Sequence, residues 1–200
     1  MNIHSEGPSM AQHDKRADIL TATLELIAEH GFHGAPMSLI AERAGVGAGT
    51  IYRYFASKDV LINELFLELD EKIKARILKG YSTARPIRER FLHLSCGLFG
   101  YFVEFPLHFR YVEQFHNSPY GAARRRSKIL GEAGQDDVFK SLFADGLQQR
   151  AMKELPVLSL CSLAFGPMFS AIRDHILGFI ELTPSLIEQL AEACWDGVKR

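Results

Sequence analysis

Apolar residues recur along this chain at three- and four-residue intervals and never settle into alternation, so the pattern predicts helices and no strands. From Asp14 to His30, Ala17, Leu20, Leu24 and Ile27 share one face, and Gly31 stops the helix. A short helix follows over Pro36–Ala44, with Pro36 at a first position that needs no N–H donor and Leu39, Ile40 and Ala44 turned inward. Gly45-Val46-Gly47 breaks it, Ala48–Phe55 forms a third helix, and Ser57 caps a fourth over Lys58–Lys79. Tyr81–Arg85 is a break and Pro86 restarts the chain as a helix. Leu92–Val103 lacks any Asp, Glu, Lys or Arg, which marks an interior helix. Another helix starts at Pro106, Asn117-Ser118-Pro119 turns, and both Arg124–Lys128 and Gly131–Gln135 read as exposed and irregular. Asp136–Met152 is amphipathic, and helices over Pro156–Glu181 and Pro184–Val198 complete an all-α chain of about nine helices.

Two helices of about two turns joined by a glycine-bearing turn, with a longer helix on each side, form a helix-turn-helix module. Helices this short do not persist alone, so Leu24, Ile27, Phe32, Ile40, Val46, Ile51 and Phe55 are expected to hold the unit together. The organisation expected is an arm over residues 1–13, a three-helix helix-turn-helix domain over 14–58, and a larger helical domain over 59–200. Eleven of the fourteen phenylalanines lie after residue 80.

Charge narrows the picture. The 200 residues carry 23 Lys+Arg against 24 Asp+Glu, so no global basic field exists and any nucleic-acid contact must be local. Residues 1–58 hold Lys15, Arg16, Arg43, Arg53 and Lys58 against six acidic residues, which predicts modest non-specific DNA binding and a shallow salt dependence. Cys96, Cys161 and Cys194 are odd in number and unpaired in spacing, which suits a reducing cytoplasm. Met1–Gln12 has neither the basic start nor the apolar run of a signal peptide. Pro156–Ile172 is uncharged but short for a bilayer span and is expected to be a buried helix, so no membrane partner is expected.

The run from Ile40 to Lys58, IAERAGVGAGTIYRYFASK, strongly resembles the N-terminal signature of the TetR family of transcriptional repressors. The likeness covers roughly Asp14–Phe66, a third of the chain. It implies a dimer of nine- or ten-helix subunits whose first three helices bind operator DNA and whose remaining helices bind a small effector and the partner copy. The residues agree on their own chemistry. On a helix starting near Ala48, Ile51 and Phe55 point inward while Thr50, Arg53 and Tyr54 take the opposite arc, with Tyr52 at its flank. Arg53 suits a bidentate contact to guanine, and Thr50, Tyr52 and Tyr54 suit phosphates. Lys58 adds a cation at the start of the fourth helix. The chain departs from the family pattern near Pro36 and at Gly47 and Ala48, where Ser, Thr or other polar residues are usual. Ser38 is the substitute phosphate contact, and Ala48 offers only a methyl group.

For the effector, a small hydrophobic or amphipathic molecule, the candidates are Phe99, Phe102, Phe105, Phe109, Glu113, Phe143 and Phe169, with Gly97 and Gly100 leaving space beside their helix. Glu113 either meets a cationic effector or is solvated. For dimerisation, Ser159, Ser162, Gly166 and Ser170 form a small-residue seam on the penultimate helix, and Ile187, Leu190 and Cys194 belong to an apolar stripe on the last; either set could instead face the subunit's own core. Pro167 is expected to kink or break the penultimate helix. The basic run from Arg124 is a solvated segment in preference to a second DNA contact. His93, Cys96, His108, Glu113 and His116 lack metal-ligand spacing, so neither metal nor cofactor is expected. Two rival functions are a DNA-bound accessory protein without effector and an all-α enzyme using an aromatic cavity; no catalytic motif supports the second.

Overall fold

The computed structural model describes residues 10–129 and 137–200, which form ten helices with one isolated bridge between Met152 and Lys199 and no strand among the described residues. In order they are α1 (Met10–His30), α2 (Met37–Arg43), α3 (Ala48–Tyr54), α4 (Lys58–Ile77), α5 (Ile87–Glu104), α6 (Pro106–His116), α7 (Pro119–Ile129), α8 (Val138–Gln148), α9 (Val157–Ile176) and α10 (Pro184–Val198). The all-α expectation holds. Two boundaries change: α1 already begins at Met10, within the expected arm, and the basic run read as irregular is helical. Residues 1–9 of the expected arm and the segment Gly131–Gln135 lie outside the described residues.

The reason α7 exists is tertiary. Pro119 opens it, the Ser118 hydroxyl accepts from the Gly121 N–H at 3.4 Å, and the Arg124 guanidinium lies 4.8 Å over the Phe66 ring and 3.6 Å from Asp70. Arg125 and Arg126 stay exposed.

The chain divides into two compact units. The first comprises residues up to Asp70 together with Leu107–Arg126, so it takes in α1–α3, most of α4, α6 and most of α7. The cut expected at 58/59 thus falls inside this unit. Ile19, Leu26, Ile27, Ile40, Ile51, Phe55, Leu61 and Ile62 are fully buried in it. Gly31 and Gly45, at φ of +71° and +64°, end α1 and α2 in the left-handed conformation that glycine adopts without a Cβ penalty. Phe66 of α4 stacks on Phe115 of α6 at 3.9 Å, and the buried Tyr111 hydroxyl donates to the Ile62 carbonyl at 2.6 Å. Burial pushes that hydroxyl far above the usual tyrosine range.

The second unit, residues 71–106 and 127–200, is built around α5. No residue from Arg90 to Phe102 is exposed, as expected of a helix with an uncharged run, and α8, α9 and α10 all pack against it. Its one buried cation, Arg90, is 2% exposed; it donates to the Tyr81 hydroxyl at 2.9 Å and lies 2.8 Å from Asp145 of α8. A buried guanidinium needs such partners. Gly97 serves close packing, because a Cβ there would sit 3.4 Å from the Ile77 backbone, whereas Gly100 faces open space. The helix α9 runs through Pro167 without a break; the missing N–H leaves the Leu163 carbonyl without its helical donor on the exposed side of the helix. The chain end is strapped to the α8–α9 connection by Lys153 N–H to Val198 O at 2.9 Å and Arg200 N–H to Ala151 O at 3.1 Å.

Candidate nucleic-acid interface

Two seven-residue helices, α2 and α3, meet through Ala44–Gly47, with Ile40, Ala41 and Ile51 buried. Neither has a side-chain cap: Pro36 and Gly47 occupy the cap positions in extended conformation. Substitutions away from Ser and Thr therefore leave the first N–H groups of both helices open, where anions are favoured.

The outward face of α3 follows from its phase. Ile51 and Phe55 are fully buried, so Arg53, two residues on, points away from the unit and is exposed. Tyr52 is 56% exposed, Ser38 and Ala48 are exposed, and Thr50 and Tyr54 are half-buried. Of the two tyrosines it is Tyr52 that reaches furthest into solvent. Tyr54 instead lies under Arg53, whose guanidinium stands 5.4 Å from the ring centroid. That contact limits the rotamers of a long side chain before any ligand arrives.

Three of the other four cations of the first 58 residues are engaged within the protein, and the fourth, Lys15, is exposed. Arg43 approaches Glu25 at 3.3 Å and Glu29 at 4.0 Å. Arg16 pairs with Glu64 at 2.8 Å and Glu68 at 3.3 Å and lies 5.6 Å over Phe55. Lys58 turns inward and donates from Nζ to the Phe32 carbonyl; burial holds its ammonium below the usual lysine range, with Asp59 pulling the other way. An ammonium carries three donors, so this bond leaves two for other acceptors.

The effector candidates fall into two groups. Phe109 and Glu113 belong to the first unit, Phe109 buried and Glu113 half-buried. Phe99, Phe102 and Phe143 are buried in the second unit, Phe169 is half-buried there and Phe105 is exposed. Phe102 and Phe169 are 6.4 Å apart, and Phe143 meets the edge of Phe165 at 6.0 Å.

The dimer candidates also separate. Ser159, Ser162, Gly166 and Ser170 are all exposed and lie opposite the buried arc of α9 formed by Leu160, Ala164, Met168 and Ile172. On α10, Ile187 and Cys194 are buried in the protomer's own core with Ala191, Trp195 and Val198, and Leu190 is half-buried. The arc a quarter-turn away, through Leu186, Leu190, Ala193 and Gly197, is left partly open.

Sequence reading missed three residues of the head. Gln114 donates from Nε2 to the Ile27 carbonyl at 2.8 Å, Tyr120 donates to Asp59 Oδ1 at 2.6 Å, and the ring of Phe32, picked only as a core residue, lies 5.4 Å from that of Tyr120. No local pattern signals contacts spanning 61 and 87 residues.

With this geometry in place, similarity to known proteins bears on it. The family model described as "Bacterial regulatory proteins, tetR family" matches residues 19–65, and that of the "Tetracyclin repressor-like, C-terminal domain" matches residues 63–200. The fatty acid metabolism regulator protein of Bacillus subtilis is 27% identical over 190 residues, covering 88% of this chain and 93% of its own. A TetR family transcription regulator from Marinobacter aquaeolei superposes with a TM-score of 0.80 at 26% identity, over 94% of this chain and 97% of that one. A transcriptional regulator FadR from Bacillus subtilis in complex with stearoyl-CoA shares the fold, with a TM-score of 0.70 at 22% identity over 90% of this chain and 98% of that one. Among the described residues no helix is long and apolar enough to cross a membrane.

Proposed function

The chain belongs to the TetR family of bacterial regulatory proteins, and from that premise we propose that it is a cytoplasmic, homodimeric repressor released from a pseudo-palindromic operator by a long, largely apolar effector. The observation that carries the reading is the solvent-facing arc of α3, where Arg53 stands exposed over Tyr54 beside an exposed Tyr52 on a helix short enough to enter a major groove. Arg53 reads a guanine through its two-pronged donor fork, while Ser38, Thr50 and Tyr52 hold phosphates and Ala48 offers its methyl group. Two such helices, about 34–36 Å apart, address successive major grooves.

Dimerisation is supported by the open small-residue row of α9 and the partly open arc of α10. Two such helices from each copy make a four-helix bundle about a twofold axis. A Cβ at Gly166 would meet no atom within 4 Å inside the protomer. Gly166→Glu is therefore expected to leave the fold intact and convert the dimer to a monomer with greatly weakened operator binding. Sedimentation velocity reads this directly, and a variant that still sediments as a dimer would place the interface elsewhere.

The effector class is supported by the aromatic content of the second unit and by the full-length likeness to a regulator of fatty acid metabolism. The test begins by selecting bound duplexes from a random pool with the wild-type protein. Stearoyl-CoA is then titrated into the operator complex, where release is expected. A complex that survives both stearoyl-CoA and the free fatty acid sinks this effector class and favours an accessory protein without effector. Failure to enrich any duplex sinks the assignment of the DNA-reading residues.

A further inference from the structure

The middle of α5 carries a polar group that the fold leaves unanswered. Ser95 is 1% exposed, and its hydroxyl has no hydrogen-bond partner among the described residues. It does not take the bond that a helical serine ordinarily finds, back to the carbonyl four residues earlier, here that of Phe91. Elsewhere in the protein buried polar atoms are met by charge, with Arg90 lying 2.8 Å from Asp145 and Arg124 3.6 Å from Asp70. No group of either kind meets the Ser95 hydroxyl within hydrogen-bonding distance.

Its companions on the same face are aromatic. Phe91, Phe99 and Phe102 stand one turn before, one turn after and two turns after Ser95, so the four share one side of the helix, and all are buried. Phe91 lies 5.5 Å from Trp195 of α10 and Phe102 lies 6.4 Å from Phe169 of α9, which sets Ser95 along α5 between two aromatic contacts, wholly within the second unit. For the fold alone serine is a poor choice here. Alanine forms helix better and leaves nothing to desolvate, whereas a buried hydroxyl without a partner forfeits the bond it made to water.

We propose that the Ser95 hydroxyl donates to an uncharged carbonyl oxygen of the effector, which makes Ser95 the residue that selects an acyl thioester or ester over a free carboxylate. A neutral carbonyl needs one donor and finds it. A carboxylate in the same place would be buried against one neutral donor with no counter-charge among the described residues of this face. Arg90, five residues earlier and so on another side of α5, is already held by Asp145 and Tyr81. The inference rests on the long, largely apolar effector of the reading above and adds which oxygen chemistry that effector carries.

Trp195 is the chain's one tryptophan and lies against Phe91, one turn before Ser95, so its fluorescence reports whether this face is occupied. In the full-length wild type above neutral pH, where decanoate is ionised, methyl decanoate is expected to shift that signal at a concentration lower by about tenfold or more than decanoate does. Ser95→Ala is expected to raise the melting temperature of the effector-free protein by about 2–6 °C, because the unpaired hydroxyl is gone. The same variant should bind methyl decanoate and stearoyl-CoA about three- to tenfold more weakly and decanoate no differently. Ser95→Cys keeps the size of the side chain but donates weakly, so a matching loss there separates a missing bond from a missing contact. A less stable Ser95→Ala would show that the hydroxyl is paired within the fold, and unchanged binding of the ester would show that no effector oxygen meets it. Either result overturns the inference and leaves the effector class standing, as does decanoate bound as tightly as its methyl ester. A wild type that binds none of the three compounds overturns the effector reading and the inference with it.

Discussion

Arg53→Ala is expected to lower affinity for the selected operator by about a hundredfold or more, while binding to unrelated duplex falls only a few-fold. A bidentate arginine–guanine contact discriminates by about 1–3 kcal/mol, and a dimer makes it twice. The structure favours a large effect because three of the other four cations among the first 58 residues are engaged within the protein. Arg16 and Arg43 are tied to carboxylates, and Lys58 is turned toward the Phe32 carbonyl. The guanidinium of Arg53 is already restrained above Tyr54, so part of the entropy of ordering it is lost before binding. Arg53→Lys should rescue poorly, since an ammonium offers one point of charge and no planar fork. Tyr52→Ala, by contrast, should weaken selected and unrelated duplexes alike. Binding curves on both duplexes over a range of salt separate these outcomes. Equal losses for Arg53→Ala and Tyr52→Ala on both duplexes would remove the base-reading role from Arg53.

What the sequence made legible is what local chemistry decides. The α2–turn–α3 unit could be placed almost to the residue because Pro36, Gly45 and the Ile51–Phe55 spacing act over a few positions, and the uncharged run after Leu92 could only be an interior helix. What stayed hidden depends on contacts made at long range. The segment from Pro119 shows few apolar positions, and it is a helix because Arg124 finds Phe66 and Asp70, more than fifty residues earlier. The membership of α6 in the first unit rests on Phe115 against Phe66 and Gln114 against Ile27, pairings no period announces. On α10 an apolar stripe wider than one face left its phase open. Trp195 and Phe91, 5.5 Å apart, belong to the contacts that decide it, turning Ile187 and Cys194 into the protomer. Gly97 and Gly100 read alike in sequence, yet one allows α5 to press on the Ile77 backbone and the other faces open space.

Glycine supplies the sharpest test of these long-range contacts, because the sign of the effect differs between theories. If α7 were a solvated helix, Gly121→Ala would stabilise the protein by roughly 1 kcal/mol, the ordinary propensity gain. In the structure a Cβ at this position would lie 2.3 Å from the Phe115 carbonyl oxygen and 2.6 Å from His116 Cα. Neither is the end of a flexible side chain, so the backbone of α7 must retreat from the end of α6. The first turn of α7 carries Tyr120, and its retreat breaks the bond to Asp59 and the ring contacts to Phe32 and Phe115. The expected result is a loss of about 2–4 kcal/mol, seen as a melting temperature lowered by roughly 5–15 °C. Gly100→Ala is the control: its Cβ meets nothing within 4 Å, so the same substitution on α5 should leave stability unchanged or slightly raised. Opposite signs from two helical glycines would locate the difference in the α6–α7 approach, and a stabilised Gly121→Ala would mean that α7 is not seated on α6 as described.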